Sequence, residues 1–229
     1  MQAAKKTGRE PNLRQLPRGR HGIPREQVAL DQRLRILEGM VRTVGDKGYA
    51  ATSVQDVLER AGVSRKTFYD NFADKEACFL EAYDAVVARV MHEINKAPTE
   101  PGPWSLSVRR RLRAFLKFFA YEPGLARMAV VEVLAAGPEA IERYRAAVRG
   151  FIPLFAEGHR LARNPEQIPD EMAEAIVGGI GSVIYNRVAE GRSEEVPNLL
   201  PALLYFALLP YIGAAQATRE ANKAREDPG

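Results

Sequence analysis

Residues 48–83 read GYAATSVQDVLERAGVSRKTFYDNFADKEACFLEAY, and two helix openings inside this stretch carry charges of the unexpected sign. After the turn Ala61-Gly62-Val63, Ser64 reads as an N-cap and the next helix opens with Arg65 and Lys66. Asp74 then reads as another N-cap, followed at once by Lys75. A helix N-terminus already bears about half a positive charge, so each cation there costs about 0.3–1 kcal/mol. Three such placements close together imply an anion nearby, and free N–H groups at helix starts are natural phosphate sites. The stretch points to nucleic acid.

Its finer pattern is a short helix, a tight glycine turn and a second short helix. Thr52 with Gln55, or Ser53 with Asp56, fits a capping box at the first helix start. Val54, Val57, Leu58 and Ala61 form that helix's apolar face, and Gly62 suits a left-handed C-cap. The second helix spans 65–71, with Phe68 and Phe72 pointing inward. In a helix-turn-helix the second helix enters the major groove with its first residues leading. Arg65 and Lys66 suit either phosphates or base edges. Thr67 suits a phosphate or a thymine methyl, and Tyr69, off the phenylalanine face, keeps its hydroxyl free for phosphate. Plainer readings stand beside these: Arg65 and Lys66 as a solvated face, Thr52 and Ser53 as caps worth about 1 kcal/mol.

The whole run resembles the TetR-type family of bacterial transcription regulators. The resemblance rests on the Thr-Ser-Val helix start, Ala-Gly-Val-Ser at the turn, Thr-Phe-Tyr in the second helix, Phe72, and Asp-Lys-Glu at the next helix opening. It covers about residues 28–85; beyond 104 the chain matches only in being helical. The family implies that Thr52, Ser53, Tyr69 and Lys75 hold phosphates, and that Ser64, Arg65, Lys66 and Thr67 face the groove. Asp70 departs from it, since many members carry a basic or neutral residue there. Residues 53–72 are formally neutral, so phosphate attraction leans on Lys75 and on the N-terminal segment.

Working outward, spacing predicts an all-α chain with no alternating strands. A first helix over 28–46 places Leu30, Leu34, Leu37, Val41 and Val44 on one seam. A fourth over 75–96 carries Phe79, Tyr83, Val86, Val90 and Ile94. Residues 97–103, APTEPGP, form a linker. Further helices are predicted at 104–121, 123–136, 138–162, 170–191 and 194–220. The expected domains are a basic arm (1–25), a DNA-binding head (26–73), an effector-binding and dimerisation body (74–220) and a polar tail (221–229).

Charge divides along the same lines. Residues 1–25 hold seven cations against Glu10, six net positive charges, whereas the whole chain carries only +4. The remainder is therefore net −2. Such an arm suits a polyanion, with Arg18, Arg20 and Arg25 candidates for a minor groove, or serves as a solubilising tail. Cys78 is the one cysteine, so no intramolecular disulfide or zinc site is expected, and no metal or cofactor. The polar N-terminus lacks a leader's apolar core, which suggests the cytoplasm. Residues 199–215, LLPALLYFALLPYIGAA, hold no charge. A span needs about 20 apolar residues, and prolines 201 and 210 interrupt this run, so burial in an oligomer interface fits better.

Tyr83, Trp104, Phe115, Phe119, Tyr144, Phe151 and Phe155 are candidates for an effector pocket, although most large aromatics are core. Tyr83, His92, Tyr144, His159 and Tyr185 are polar groups able to orient a ligand. An aromatic and aliphatic lining favours a lipophilic effector; the cationic face 109–117 suits solvent or, less readily, an acyl-CoA phosphate. The glycines of Val177-Gly178-Gly179-Ile180-Gly181-Ser182 cost about 1 kcal/mol each within a helix, usually offset by close helix packing. Gly178, Gly181, Val183, Leu203 and Phe206 are therefore candidates for a four-helix dimer interface. Two recognition helices about 34–36 Å apart would read a near-palindrome. The expected function is a homodimeric repressor released from its operator by a small lipophilic effector, though the pattern equally permits activation. An effector-free architectural DNA-binding protein is the alternative. An all-helical enzyme is a distant one, because no HExxH, phosphate loop or nucleophile elbow occurs.

Overall fold

The computed structural model describes residues 24–96 and 102–226, and every regular element among them is helical. The first four helices are α1 Arg25–Lys47, α2 Val54–Ala61, α3 Arg65–Asn71 and α4 Lys75–Asn95. The next six are α5 Trp104–Tyr121, α6 Pro123–Val130, α7 Pro138–Arg149, α8 Ile152–Leu161, α9 Met172–Ala189 and α10 Leu200–Glu226. Short 3-10 turns lie at Glu132–Ala135, Pro165–Gln167 and Ser193–Leu199. The expected arm residues Arg18 and Arg20, the Arg25 side chain and most of the linker lie outside the described residues.

α1 packs on α2 and α4 and also on α6, so one apolar core runs unbroken from the N-terminal helices into the body. Where α1 meets α6 the backbones nearly touch: a Cβ on Gly45 would lie 2.8 Å from Gly124 Cα. The α1 seam is corrected in its first half. Leu30 and Leu34 are 57% and 56% exposed, while Ile36 and Met40 are fully buried beside Leu37 and Val44. Arg33 sets this rotation. Its guanidinium pairs with Glu81, donates to Asn71 O at 2.9 Å and lies 4.4 Å from the Phe72 ring centre, turning that side of α1 toward α3 and α4.

The single helix expected over 138–162 is two helices. Gly150 ends α7, and Pro153 sits in the first turn of α8, where its missing N–H costs nothing. The helix expected over 123–136 also tightens, into the 3-10 turn at Glu132–Ala135. At the other end, the expected polar tail is helical through Glu226. Ala217, Ala221 and Ala224 bury one small-residue stripe there, and buried Glu220 pairs with Lys223 at 2.7 Å. α10 itself breaks at Gly213 (φ 75°). The stretch Ser193–Glu226 is long and apolar enough, at mean hydropathy 1.5, to cross a membrane. Here, however, Leu204, Ala207, Leu208 and Tyr211 are buried in the protein, with α10 packed on α5, α8 and α9.

Candidate nucleic-acid interface and ligand cavity

Of the two capping boxes, the one that forms joins Ser53 and Asp56. Ser53 N–H donates to Asp56 Oδ2 at 2.7 Å, and Ser53 Oγ accepts the Asp56 N–H. Lys47 pairs with the same carboxylate at 2.6 Å. That bond, helped by Ser53, holds the Asp56 pKa far below the usual carboxylate range. Gly62 closes α2 at φ 64°, with its N–H on Leu58 O at 2.9 Å. A left-handed residue here lets the chain reverse into α3 with no Cβ penalty.

Ser64 caps α3, accepting Thr67 N–H at 3.0 Å, and its hydroxyl lies 2.9 Å from Thr67 Oγ1. Phe68 and Phe72 are buried as expected, and Tyr69, half exposed, leans edge-on against Phe68. Arg65 is exposed and steadied by Gln55 Oε1 at 3.2 Å. Lys66 is open to solvent, its side chain 84% exposed, and pairs with Asp70 at 2.8 Å. Ser53, Ser64, Arg65, Lys66 and Tyr69 are thus each exposed in the motif, with Thr67 half-buried.

Two expectations need correction. Thr52 is 3% exposed and its hydroxyl donates to Gly48 O at 2.7 Å, so it is spent inside the loop and offers no donor to a phosphate. Lys75 is half-buried. Its ammonium donates to Tyr49 O at 3.1 Å and Thr52 O at 3.0 Å, and lies 4.1 Å from the Tyr49 ring centre. Lys75 clasps the loop between α1 and α2, leaving one N–H to point elsewhere. Sequence reasoning missed this clasp, the Gln55 tether and the Lys47 clamp, because their partners lie on other elements.

In the body, a cavity of about 100 Å³ is walled by α4, α5, α6, α7, α8 and α9. Tyr83, Phe115, Phe119, Tyr144, Phe151 and Phe155, the aromatic candidates, line this cavity. Trp104 does not: its indole N–H donates to Leu154 O at 2.9 Å, and its ring packs against Gly158 and Tyr211. Of the expected polar groups, His92, His159 and Tyr185 lie off the wall. Burial raises the pKa of both lining tyrosines, Tyr83 further still by Tyr144 and Asp84, so their hydroxyls remain neutral donors. Among the described residues, Arg111 is the one charged side chain on the wall.

The expected pairing residues split into two groups. Gly178, Val183 and Phe206 face outward, the last two at 38% and 44% exposure, and Leu209 joins them. Gly181 instead lines the cavity, and Leu203 is 5% exposed within its own chain. Both are corrected from interface to interior, because α9 turns that side toward the body and α10 packs Leu203 beneath it.

With this geometry in view, similarity to known proteins becomes informative. Residues 36–82 match the profile of the bacterial regulatory proteins of the tetR family. The HTH-type transcriptional regulator EthR of Mycolicibacterium smegmatis is 31% identical over 160 residues, covering 67% of this chain and 70% of that protein. The chain belongs to the tetR family of bacterial regulatory proteins. It is a DNA-binding transcription regulator. The fold agrees: the fatty acid degradation regulator FadR from Bacillus halodurans superposes with a TM-score of 0.67 at 18% identity, over 77% of this chain and 94% of that one. FadR from Bacillus subtilis, solved with stearoyl-CoA, gives 0.64 at 14% identity, over 76% and 97%. At such identities these two speak for the fold of this tetR-family regulator alone.

Proposed function

We propose that this regulator is a homodimeric repressor that leaves a near-palindromic operator when a small lipophilic effector enters the body. The carrying observation is the apolar cavity walled by α4, the helix whose first residue, Lys75, clasps the DNA-binding head. Its volume, about 100 Å³, is below the roughly 150 Å³ that admits benzene in an engineered apolar cavity. The cavity is partly open to solvent, so an effector of ordinary drug size extends out of it or displaces its walls. One that displaces them binds a conformation other than the one shown, which is the condition for shifting a population. The stearoyl-CoA in the Bacillus subtilis neighbour is consistent with a long apolar guest here.

Residues 26–73 then act as the DNA-binding head and 74–220 as the effector and pairing body, in the cytoplasm, with residues 1–25 as a basic arm. Ser53, Ser64, Arg65, Lys66, Thr67 and Tyr69 meet the duplex, and Lys75 holds the loop that presents them. Gly178, Val183, Phe206 and Leu209 form the centre of the two-fold contact. Without a partner chain, Phe206 and Leu209 would leave apolar surface in water.

The test is fluorescence anisotropy on the DNA upstream of its own gene. Arg65→Ala should weaken binding and relax base choice, and lipophilic compounds that raise the melting temperature should release the DNA. Binding unaffected by every cavity-sized ligand would favour the effector-free architectural reading.

A further inference from the structure

Glu132 is a carboxylate only 6% exposed, at a place where DNA contact does not explain it. From the 3-10 turn after α6 it accepts Tyr49 N–H at 2.7 Å, and Arg127 of α6 balances its charge at 2.7 Å. Gly48 lies against it: a Cβ there would come within 3.0 Å of Glu132 Oε2. The backbone of Tyr49 is therefore held at both its peptide groups, its N–H by Glu132 and its carbonyl by Lys75. The segment so held runs directly into Ser53, the N-cap of α2.

The same short helix also faces the cavity. Ala129 and Val130, immediately before the turn, form part of the cavity wall. At its other end α6 abuts α1 through Gly124 and Gly45, with no side chain between them to absorb movement. A displacement of α6 must then pass to α1 or to the turn bearing Glu132.

We propose that Glu132 is a positioning residue that links cavity occupancy to the DNA-binding head. A guest that pushes Ala129 and Val130 outward draws the carboxylate from Tyr49 N–H and loosens residues 48–53. This inference rests on the effector cavity proposed above. It adds a route through α6 and the α1–α2 loop beside that through α4. A carboxylate that merely caps the loop would not respond to the cavity.

Gly181 supplies a test needing neither ligand nor DNA. It lies on the α9 wall, and a Cβ there meets only Tyr144 Oη at 4.0 Å, so Gly181→Leu adds bulk to the cavity from a wall that does not bear Glu132. Hydrogen exchange of the Tyr49 amide is measured in the full chain, with the Leu116 amide of the buried α5 face as the control for global unfolding. Gly181→Leu should speed Tyr49 exchange about tenfold, the loss of one hydrogen bond's protection, with Leu116 unchanged. Glu132→Ala should do the same, and adding Gly181→Leu should change nothing further. Glu132→Gln, whose amide oxygen still accepts, should restore most of the protection and keep the response to Gly181→Leu. Should Gly181→Leu fold poorly, the more flexible Gly181→Met gives the same readout. Unchanged Tyr49 exchange in a folded filled-cavity variant, or additive effects in the double variant, overturns the proposal. Because no duplex enters the measurement, failure of ligand-induced DNA release would count against the repressor reading alone.

Discussion

An ammonium already shared between two carbonyl oxygens and an aromatic face has little left for a phosphate, and the geometry of Lys75 separates its role from that of Lys66. Each phosphate neutralised contributes about 0.9 to the slope of log K against log salt. Lys66→Ala should therefore weaken binding to all sequences and flatten that slope by about 1. Lys75→Ala should weaken binding by loosening the loop while the slope stays near that of the parent; equal slopes in both variants would return Lys75 to the phosphate contacts. Cys78 gives a second prediction at this scale. Fully buried, its thiol is pushed up from about 9 to about 12, chiefly by desolvation and then by Glu81, against a smaller opposing effect of Arg33. The native protein should resist a thiol reagent at pH 8 and react only on unfolding, which absorbance titration can follow. A raised folded-state pKa leaves this contribution to stability whole below about 9, and it is lost as pH climbs toward 12. The cationic helix openings were legible in the sequence because capping and charge are local rules. Glu132 was not, since its partner Tyr49 is 83 positions away and nothing nearby in the chain marks it.

At the scale of elements, periodicity located helices whose one apolar face meets one neighbour. α3 and α4 follow their predicted bounds closely, and Phe79, Tyr83, Val86, Val90 and Ile94 are all buried. It failed on α1, where Leu30 and Leu34 continue the apolar spacing yet face outward because Arg33 claims the side toward α3 and α4. The break between α7 and α8 carried a readable signal in Gly150 and Pro153, overridden by the apolar residues on either side. The α1–α6 contact yields a sharper expectation. Gly45→Ala forces a Cβ to 2.8 Å from Gly124 Cα and should cost about 1–3 kcal/mol in urea denaturation. Gly124→Ala meets Gly45 only at 3.6 Å, an ordinary contact, and should be neutral or mildly stabilising. Equal losses from the two substitutions would mean that the helices are not held at this approach.

For the whole molecule, α9 and α10 have two sides, one lining the body and one left to solvent. The glycine and leucine content of the sequence identified the elements but not their rotation, which placed Gly181 and Leu203 inside. Sedimentation can separate the sides. Phe206→Glu, on the exposed side, should give a folded chain of monomer mass with much weakened operator binding. Leu203→Glu, 5% exposed, should instead lower stability by several kcal/mol through burying a charge. Retention of dimer mass by the Phe206 variant would remove α10 from the pairing surface. The undersized cavity carries a further thermodynamic corollary. Whatever wedges itself among those aromatic rings binds the native fold and not the unfolded coil, so it must raise the heat resistance of the protein in proportion to the logarithm of its concentration. On the function proposed above the same guest loosens the grip on the duplex, so thermal robustness and promoter occupancy should move in opposite directions along a single titration.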